Sequence, residues 1–257
     1  MRVLTALVGL PLFLLVVWWG DLPLLVLLAV LIILAQKELA LLFKEVNPHQ
    51  GLALVSGLVL VAASYLVPDR YPAGVIILLL LFYLGLLVIW YPRFEPRALA
   101  GTLLLALYPG LFVYLYLLRE LPGNWEWVLL IVLMTWAFDT LGYFAGVYLG
   151  RRRMFPTLSP KKTVEGFTGG IIASTLTGLI YGLITNLQSP YLLAAMGLLI
   201  GLAAQLGDLV ASSFKRFSRV KDAGQLLPGH GGIMDRFDSL LFTAPVGYYL
   251  LRFLGNF

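Results

Sequence analysis

The chain has 257 residues, of which 60% are hydrophobic and only 12% are charged, and its formal net charge is +5. Soluble domains carry about 25% charged residues, so a water-soluble fold of this length would have to bury far more apolar surface than usual. The composition therefore excludes an ordinary soluble protein and predicts an all-α, polytopic membrane helical bundle. Because the chain has no cysteine, disulfides and thiolate metal sites are excluded.

Apolar stretches of about the length needed to cross the hydrocarbon core as a helix follow one another along the chain. The nine stretches are 3–19, 22–42, 51–67, 73–90, 99–118, 127–149, 166–184, 191–211 and 239–254. We expect the first to be a membrane helix rather than a cleaved leader, because Trp18 and Trp19 are typical of a membrane interface. Pro109-Gly110 predicts a kink inside the fifth stretch. One membrane domain is expected over 1–257, with N-terminal helices in 1–125 and, in 126–257, the helices and cytoplasmic loops that carry the candidate functional residues.

The distribution of Lys and Arg predicts the orientation in the membrane. If all nine stretches cross, 15 of the 18 basic residues fall on the side of the N-terminus, and only Arg70, Arg119 and Arg252 fall on the other. Loops on the cytoplasmic side are enriched in Lys and Arg. The sequence therefore predicts a cytoplasmic N-terminus and a multi-pass protein of the cytoplasmic (inner) membrane.

Polar side chains inside the predicted spans mark candidate functional positions. A carboxylate at a helix centre costs about 2.5–3.5 kcal/mol on insertion scales, so Asp139 should face a polar cavity or partner. A buried ion pair or a hydrogen bond to a neighbouring helix is the alternative interpretation. Gln205, Asp208, Ser212 and Lys215 follow at steps of three, four and three residues, which places them on one helix face. We interpret this face as the wall of a polar funnel that opens to the cytoplasm.

The segment 212–238 has the highest density of polar and charged residues. Glycines around His230 allow backbone amides to approach a phosphate closely. Asp235 and Asp238 lie three residues apart at the start of the last helix, where they could meet Asp208. Carboxylates beside cations suit Mg²⁺ with bound phosphates, and two acidic patches could hold two ions. The alternatives are attraction of the cations to anionic lipid and a structural role for His230.

A second cytoplasmic motif, Ser-Pro-Lys-Lys-Thr-Val-Glu-Gly, covers 159–166. Lys161 and Lys162, with a nearby hydroxyl, are candidates for contact with a triphosphate or a lipid phosphate. Charge that only sets the topology is the alternative, and it is our interpretation of 151–153. Lys37 and Glu38, near the end of the second stretch, are interpreted as an interfacial pair outside the site.

The residues from Ser212 to Asp238 resemble the signature of the CDP-diacylglycerol synthases (phosphatidate cytidylyltransferases). That signature begins with Ser and Lys-Arg, continues with Lys-Asp and His-Gly-Gly, and ends with Asp-Arg, a hydrophobic residue and Asp, and the sequence fits it at every position. The 159–166 motif and Asp139-Thr140 are also similar to this family. The resemblance is tightest over 136–238, while the first four or five helices match only as a hydrophobic pattern.

The resemblance implies a multi-pass, Mg²⁺-dependent enzyme that converts CTP and phosphatidic acid into CDP-diacylglycerol and pyrophosphate. It also implies a homodimer in membrane lipid, no nucleic-acid partner, and a second, monovalent ion such as K⁺. The metal ligands implied are Asp208, Asp235 and Asp238. The candidate catalytic residues are Asp208, Lys215, Arg216, Lys221, Asp222, His230, Asp235, Arg236 and Asp238. The candidate substrate-binding residues are Asp139, Ser159, Lys161, Lys162, Thr163, Glu165, Ser212, Gly231 and Gly232.

Two other functions were weighed against this expectation. A CTP-dependent polyprenol or phytol kinase has similar phosphate requirements, but its alcohol acceptor needs a base and its motifs lack the complete signature. An ion-coupled transporter would suit acidic residues within the spans. The functional residues cluster at one membrane face, however, and no inverted repeat is visible, so the transporter is the weaker alternative.

Overall fold

The fold is helical, as the composition predicts. The computed structural model describes residues 2–68, 73–224 and 231–254, and the candidate His230 lies outside them. The helices of these residues are α1 (Arg2–Trp19), α2 (Asp21–Leu42), α3 (Gln50–Leu66), α4 (Ala73–Trp90), α5 (Pro96–Gly110), α6 (Val113–Glu120), α7 (Trp125–Tyr148), α8 (Val164–Thr185), α9 (Pro190–Phe217) and α10 (Met234–Leu254). A short 3-10 helix covers Lys44–Val46.

Five helical segments of the described chain are long and apolar enough to cross a membrane. They are Asp21–Leu42, Pro96–Glu120, Trp125–Tyr148, Val164–Thr185 and Pro190–Phe217. The second of these comprises α5 and α6, and the regular helix is interrupted at Leu111 and Phe112, directly after Pro109-Gly110. The interruption therefore lies next to the kink that Pro109-Gly110 predicts. The chain is a multi-pass helical membrane protein.

Two compact units divide the chain. The first comprises 1–120 and 217–236, and the second comprises 121–216 and 237–257. The boundaries between the units lie before Phe217, in the last turn of α9, and after Arg236, in the first turn of α10. Asp235 and Arg236 therefore belong to the first unit, and Asp238 belongs to the second.

Buried polar contacts connect the helices of the first unit. The hydroxyls of Ser56 on α3 and Tyr83 on α4 lie 2.8 Å apart, and the Tyr83 side chain is fully buried. The side-chain amide of Gln36 on α2 donates to the backbone carbonyl of Ala53 on α3 at 2.8 Å. Hydrogen-bonding groups buried away from water need such partners, so these pairs fix how the helices face one another.

Glycines allow α7 and α8 of the second unit to approach closely. A Cβ atom at Gly142 would lie 3.1 Å from the carbonyl oxygen of Gly166, and one at Gly170 would lie 2.9 Å from the carbonyl oxygen of Phe138. The hydroxyl of Thr135 on α7 donates to that of Thr243 on α10 at 2.9 Å. The close approach brings the start of α8, and the motif before it, against α7.

An antiparallel hairpin precedes α8. This hairpin was not predicted from the sequence. Its strands are β1 (Arg153–Phe155) and β2 (Ser159–Thr163), and the Val164 amide donates to the Arg152 carbonyl at 2.9 Å beyond their ends. Two strands of three and five residues are too short to leave a sequence pattern. The hairpin holds Ser159, Lys161 and Lys162 in an ordered strand.

Candidate active site

Three carboxylates from α7, α9 and α10 come together in the second unit. A Cβ atom at Gly207 would lie 2.5 Å from the carbonyl oxygen of Asp238, so α9 and α10 touch through their backbones there. Asp208 and Asp238 consequently lie close enough to interact electrostatically, as do Asp139 and Asp238. The Ser239 hydroxyl also donates to the Asp139 carboxylate at 3.4 Å. We call Asp139, Asp208 and Asp238 the acidic cluster.

Two lysines balance part of this negative charge. The Lys162 ammonium lies 2.5 Å from the Asp208 carboxylate, and it also interacts electrostatically with Asp139. Lys215, two turns beyond Asp208 on α9, interacts electrostatically with Asp238. The side chains of Lys162 and Asp208 are 20% and 33% exposed, but the ammonium nitrogen of Lys162 is itself buried. A ligand that separates the pair must therefore give each charge a new partner.

The predicted polar face of α9 lies within one continuous helix, because α9 extends beyond Ala211 to Phe217. The Ser212 hydroxyl lies 3.4 Å from the Asp208 carboxylate oxygen, to which it donates. Gln205, one turn before Asp208, is 7% exposed, and its buried amide nitrogen has no hydrogen-bond partner among the described residues. Gln205 was expected on this face from its spacing, but it is not among the candidate site residues.

The end of the hairpin uses its polar groups for local structure. The Thr163 hydroxyl caps α8 by accepting from the Gly166 amide at 3.1 Å. The Glu165 carboxylate accepts from the backbone amides of Arg151 and Arg152 at 3.0 and 3.2 Å. A cap of this kind satisfies amides that the helix itself leaves without partners. Both residues therefore have structural roles, and their contact with substrate stays a prediction.

Other hairpin candidates differ in their surroundings. Ser159 is half-buried, whereas the side chain of Lys161 is exposed. The Arg153 guanidinium donates to the backbone carbonyl of Lys161 at 3.2 Å, and that of Arg216 donates to the Leu158 carbonyl at 3.3 Å. Arg216, a candidate catalytic residue, thus holds the turn of the hairpin to the end of α9.

Asp235 in the first unit holds the two ends of the glycine-rich segment. One oxygen of its carboxylate accepts from the backbone amides of Ala223 at 2.8 Å and Gly232 at 3.1 Å. Gly231 has a φ of +81°, which side-chain-bearing residues rarely adopt, and a Cβ there would lie 2.8 Å from this Asp235 oxygen. Gly231 is therefore required by the backbone geometry beside Asp235, whereas a Cβ atom at Gly232 would meet the Glu38 carboxylate.

The structure contradicts the interpretation of Glu38 as one half of an interfacial pair with Lys37. Lys37 is exposed, but Glu38 is 2% exposed and accepts from the backbone amides of Ile233 and Met234 at 2.8 and 2.9 Å. The interpretation was wrong because a linear sequence does not show which distant amides a carboxylate meets. The available signal was the one that identified Asp139, an acid within an apolar helix.

The remaining candidates of the first unit, Lys221, Asp222 and Arg236, are exposed. Asp222 lines a pocket together with Lys44 and Ser218. Exposed charges of this kind are available to ligands from the aqueous phase.

The carboxylates of Asp208 and Asp238 are compatible with a metal ion that is held partly by the substrate. Among the described side chains, no group of three or more Asp, Glu or His is arranged to hold a metal ion. Mg²⁺, however, is usually bound by one or two carboxylates, with phosphates and water completing its octahedral shell. The neighbouring carboxylates of Asp208 and Asp238 meet that smaller requirement.

Comparison with known proteins supports the resemblance over the whole chain. The model of the cytidylyltransferase family matches residues 1–254. A Bacillus subtilis protein named phosphatidate cytidylyltransferase is 36% identical over 97% of this chain and 96% of its own length. Proteins of the same name from Staphylococcus epidermidis and Staphylococcus aureus are 36% and 35% identical, each over 97% of this chain and 98% of their own length.

Proposed function

The chain belongs to the cytidylyltransferase family, and we propose that it transfers the cytidylyl group of CTP to phosphatidic acid, giving CDP-diacylglycerol and pyrophosphate. The observation that carries this proposal is the full-length similarity to relatives named phosphatidate cytidylyltransferase. The acidic cluster and its two lysines support it, because they supply charged groups of the kind that phosphate substrates need.

The reaction joins two polyanions. A phosphate oxygen of phosphatidic acid attacks the α-phosphorus of CTP, the bond from this phosphorus to the bridging α–β oxygen breaks, and pyrophosphate leaves with that oxygen. The second pKa of a phosphate monoester is about 6, so the attacking oxygen is largely deprotonated at neutral pH. The protein therefore needs to align the reactants and neutralise their charge rather than remove a proton.

We assign these tasks to residues of the second unit. Lys162 and Lys215 bind phosphate oxygens, which draws Lys162 away from Asp208. The carboxylates of Asp208 and Asp238 would hold Mg²⁺, and a monovalent ion such as K⁺ would accompany it. Bound Mg²⁺ would supply neutralisation of the pyrophosphate charge. Ser212 keeps the Asp208 carboxylate oriented through its hydrogen bond.

The arrangement in the membrane is part of the proposal. Nine crossings with a cytoplasmic N-terminus, on the charge distribution, would expose the hairpin and the glycine-rich segment to cytoplasmic CTP. Phosphatidic acid would keep its acyl chains in the inner membrane and present its headgroup to the same site. A homodimer is implied by the family resemblance.

CTP labelled at different phosphates tests the proposed reaction. Purified full-length protein with phosphatidic acid and Mg²⁺ should move label from α-³²P-CTP into a chloroform-soluble product and release unlabelled pyrophosphate. With γ-³²P-CTP the lipid should stay unlabelled and the pyrophosphate should carry the label. Lipid labelled from γ-³²P-CTP would instead indicate a kinase and contradict the proposal, as would α-label transfer that does not depend on phosphatidic acid.

A further inference from the structure

Glu38 is a buried carboxylate that the proposed reaction does not use. It lies on α2, four residues before the end of that helix, and only 2% of its side chain is exposed. An ionised carboxylate is strongly destabilised in such a place unless hydrogen bonds replace its water. The contacts that Glu38 makes therefore indicate why an acid is present there.

The two oxygens of Glu38 bind two successive backbone amides. Oε1 accepts from the Ile233 amide at 2.8 Å, and Oε2 accepts from the Met234 amide at 2.9 Å. Met234 is the first residue of α10, so these amides are among those that a helix cannot satisfy internally. A carboxylate at this end of a helix is also favoured by the helix dipole. Glu38 thus caps α10 from a helix almost 200 positions earlier in the chain.

Two glycines of the family signature leave room for this carboxylate. A Cβ atom at Gly224 would lie 2.8 Å from Oε1 of Glu38, and one at Gly232 would overlap the carboxylate directly. Real Cβ atoms are essentially never found closer than 3.0 Å to another heavy atom. Both positions must therefore be glycine as long as Glu38 occupies its place.

Glu38 and Asp235 together hold the chain on both sides of 225–230. Asp235 binds the amides of Ala223 and Gly232, and Glu38 binds those of the next two residues. Four backbone amides are fixed by two carboxylates, and one of these is itself a candidate metal ligand. Displacing Glu38 would release the first turn of α10, which carries Asp235 and Arg236.

We propose that Glu38 is a positioning residue that fixes Ile233 and Met234 at the first turn of α10, and so sets the place of the Asp235 carboxylate. The role in catalysis rests on the proposed function, whereas the role in holding the loop does not. Glu38 touches no reacting atom in this proposal, and it acts through the backbone of Ile233 and Met234.

Replacing Glu38 with Gln in the full-length protein tests the proposal at nearly constant volume. Glutamine offers one acceptor oxygen and a donating NH₂ group, so one of the two amides loses its partner and meets a donor. Hydrogen–deuterium exchange of peptides that cover 231–236 should become faster by about tenfold or more in the variant. The kcat per folded molecule should fall by about tenfold or more, with the KM for phosphatidic acid little changed.

Two further variants keep the test decisive if Glu38→Gln folds poorly. Glu38→Asp retains the charge and restores part of the capping, so it should recover part of the lost kcat. Gly232→Ala keeps Glu38 but displaces its carboxylate, so it should reproduce the faster exchange. Glu45→Gln is the matched control, because Glu45 is exposed on the same unit and should leave both measurements unchanged.

The possible outcomes separate the two roles. Exchange at 233–234 that matches the unmodified protein in both Glu38→Gln and Gly232→Ala would overturn the capping role. Faster exchange with normal kcat per folded molecule would overturn the positioning role and leave Glu38 as a purely structural residue. If the unmodified protein forms no CDP-diacylglycerol, the proposed function fails and the positioning role fails with it, but the exchange measurement still decides whether Glu38 holds the loop.

Discussion

The Lys162 ammonium lies 2.5 Å from the Asp208 carboxylate, joining the hairpin before α8 to the polar face of α9. The two side chains are 20% and 33% exposed, but the Lys162 ammonium nitrogen is buried, so the pair is not an ordinary surface salt bridge. Its importance lies in charge: the lysine compensates an acid that would otherwise be repelled by Asp238. An arriving nucleotide phosphate can bind Lys162 while a cation binds Asp208.

Loss of the Lys162 charge should impair catalysis more than folding. We expect Lys162→Gln to lower kcat/KM by more than about tenfold, because the variant neither neutralises substrate phosphate nor balances the acidic cluster. Steady-state kinetics with CTP and phosphatidic acid varied separately would measure the effect. Lys37→Gln, at an exposed position of the first unit that lies outside the candidate site, is the control. Equal and small changes in both variants would contradict the phosphate-binding role.

The three signature carboxylates should each be necessary for turnover. We expect Asp208→Asn, Asp235→Asn and Asp238→Asn to reduce kcat by about 100-fold or more, the loss typical for removal of one electrostatic contact to a transition state. Each variant should still be extracted as a folded membrane protein, measured by size-exclusion chromatography in detergent. Near-normal rates at saturating Mg²⁺ for two of the three would contradict the assignment of these residues to the metal.

Gly207 should tolerate no side chain, because α9 and α10 touch at this residue. In Gly207→Ala the new methyl group would lie 2.5 Å from the backbone oxygen of Asp238, which cannot move without the helix. Overpacking of this kind costs about 1–3 kcal/mol. A lower thermal unfolding midpoint and reduced turnover should both be observed. Gly85→Ala is the matched control, since nothing lies within 4 Å of a Cβ there, and a similar loss in both variants would contradict the packing argument.

Charge-preserving exchanges distinguish phosphate binding from attraction to lipid. Arg presents a planar fork and Lys a point charge, so Arg236→Lys and Lys221→Arg should lose more than about tenfold in turnover if these residues bind phosphate. Arg151→Lys and Arg152→Lys should change little, because we assign these side chains to topology. Assays at two ionic strengths would complete the test. Mild, salt-sensitive losses at Lys215, Arg216, Lys221 and Arg236 alike would indicate a lipid anchor instead.

The membrane topology can be measured with reporter fusions. With nine crossings and a cytoplasmic N-terminus, a reporter that is active only outside the cytoplasmic membrane should give signal when fused after Phe257 and none when fused after Arg153. The physical reason is the excess of Lys and Arg on one side of the predicted spans. The reverse pattern would overturn the orientation, and signal at both positions or at neither would overturn the number of crossings.

Much of the site was predictable because neighbours in sequence stay neighbours on a helix. The face of Asp208, Ser212 and Lys215 follows from helical spacing, and the structure places all three in α9 with a Ser212–Asp208 hydrogen bond. Asp235 and Asp238 were both expected to meet Asp208; Asp238 lies close enough to Asp208 to interact with it electrostatically, whereas Asp235 belongs to the first unit. The hairpin was not predicted, because strands of three and five residues show no clear periodicity.

The sequence by itself determined the membrane class, the helical content and the residues that carry charge into apolar helices, since these depend on composition and on periodicity along a few turns. Only the tertiary structure decided which distant residues come into contact. Glu38 meets Ile233 and Met234, Lys162 meets Asp208, and Gly207 meets Asp238. Each of these contacts joins segments that are distant along the chain. They arise because the packing of the helices decides which residues meet. No pattern along the sequence shows which partner a buried polar group will find.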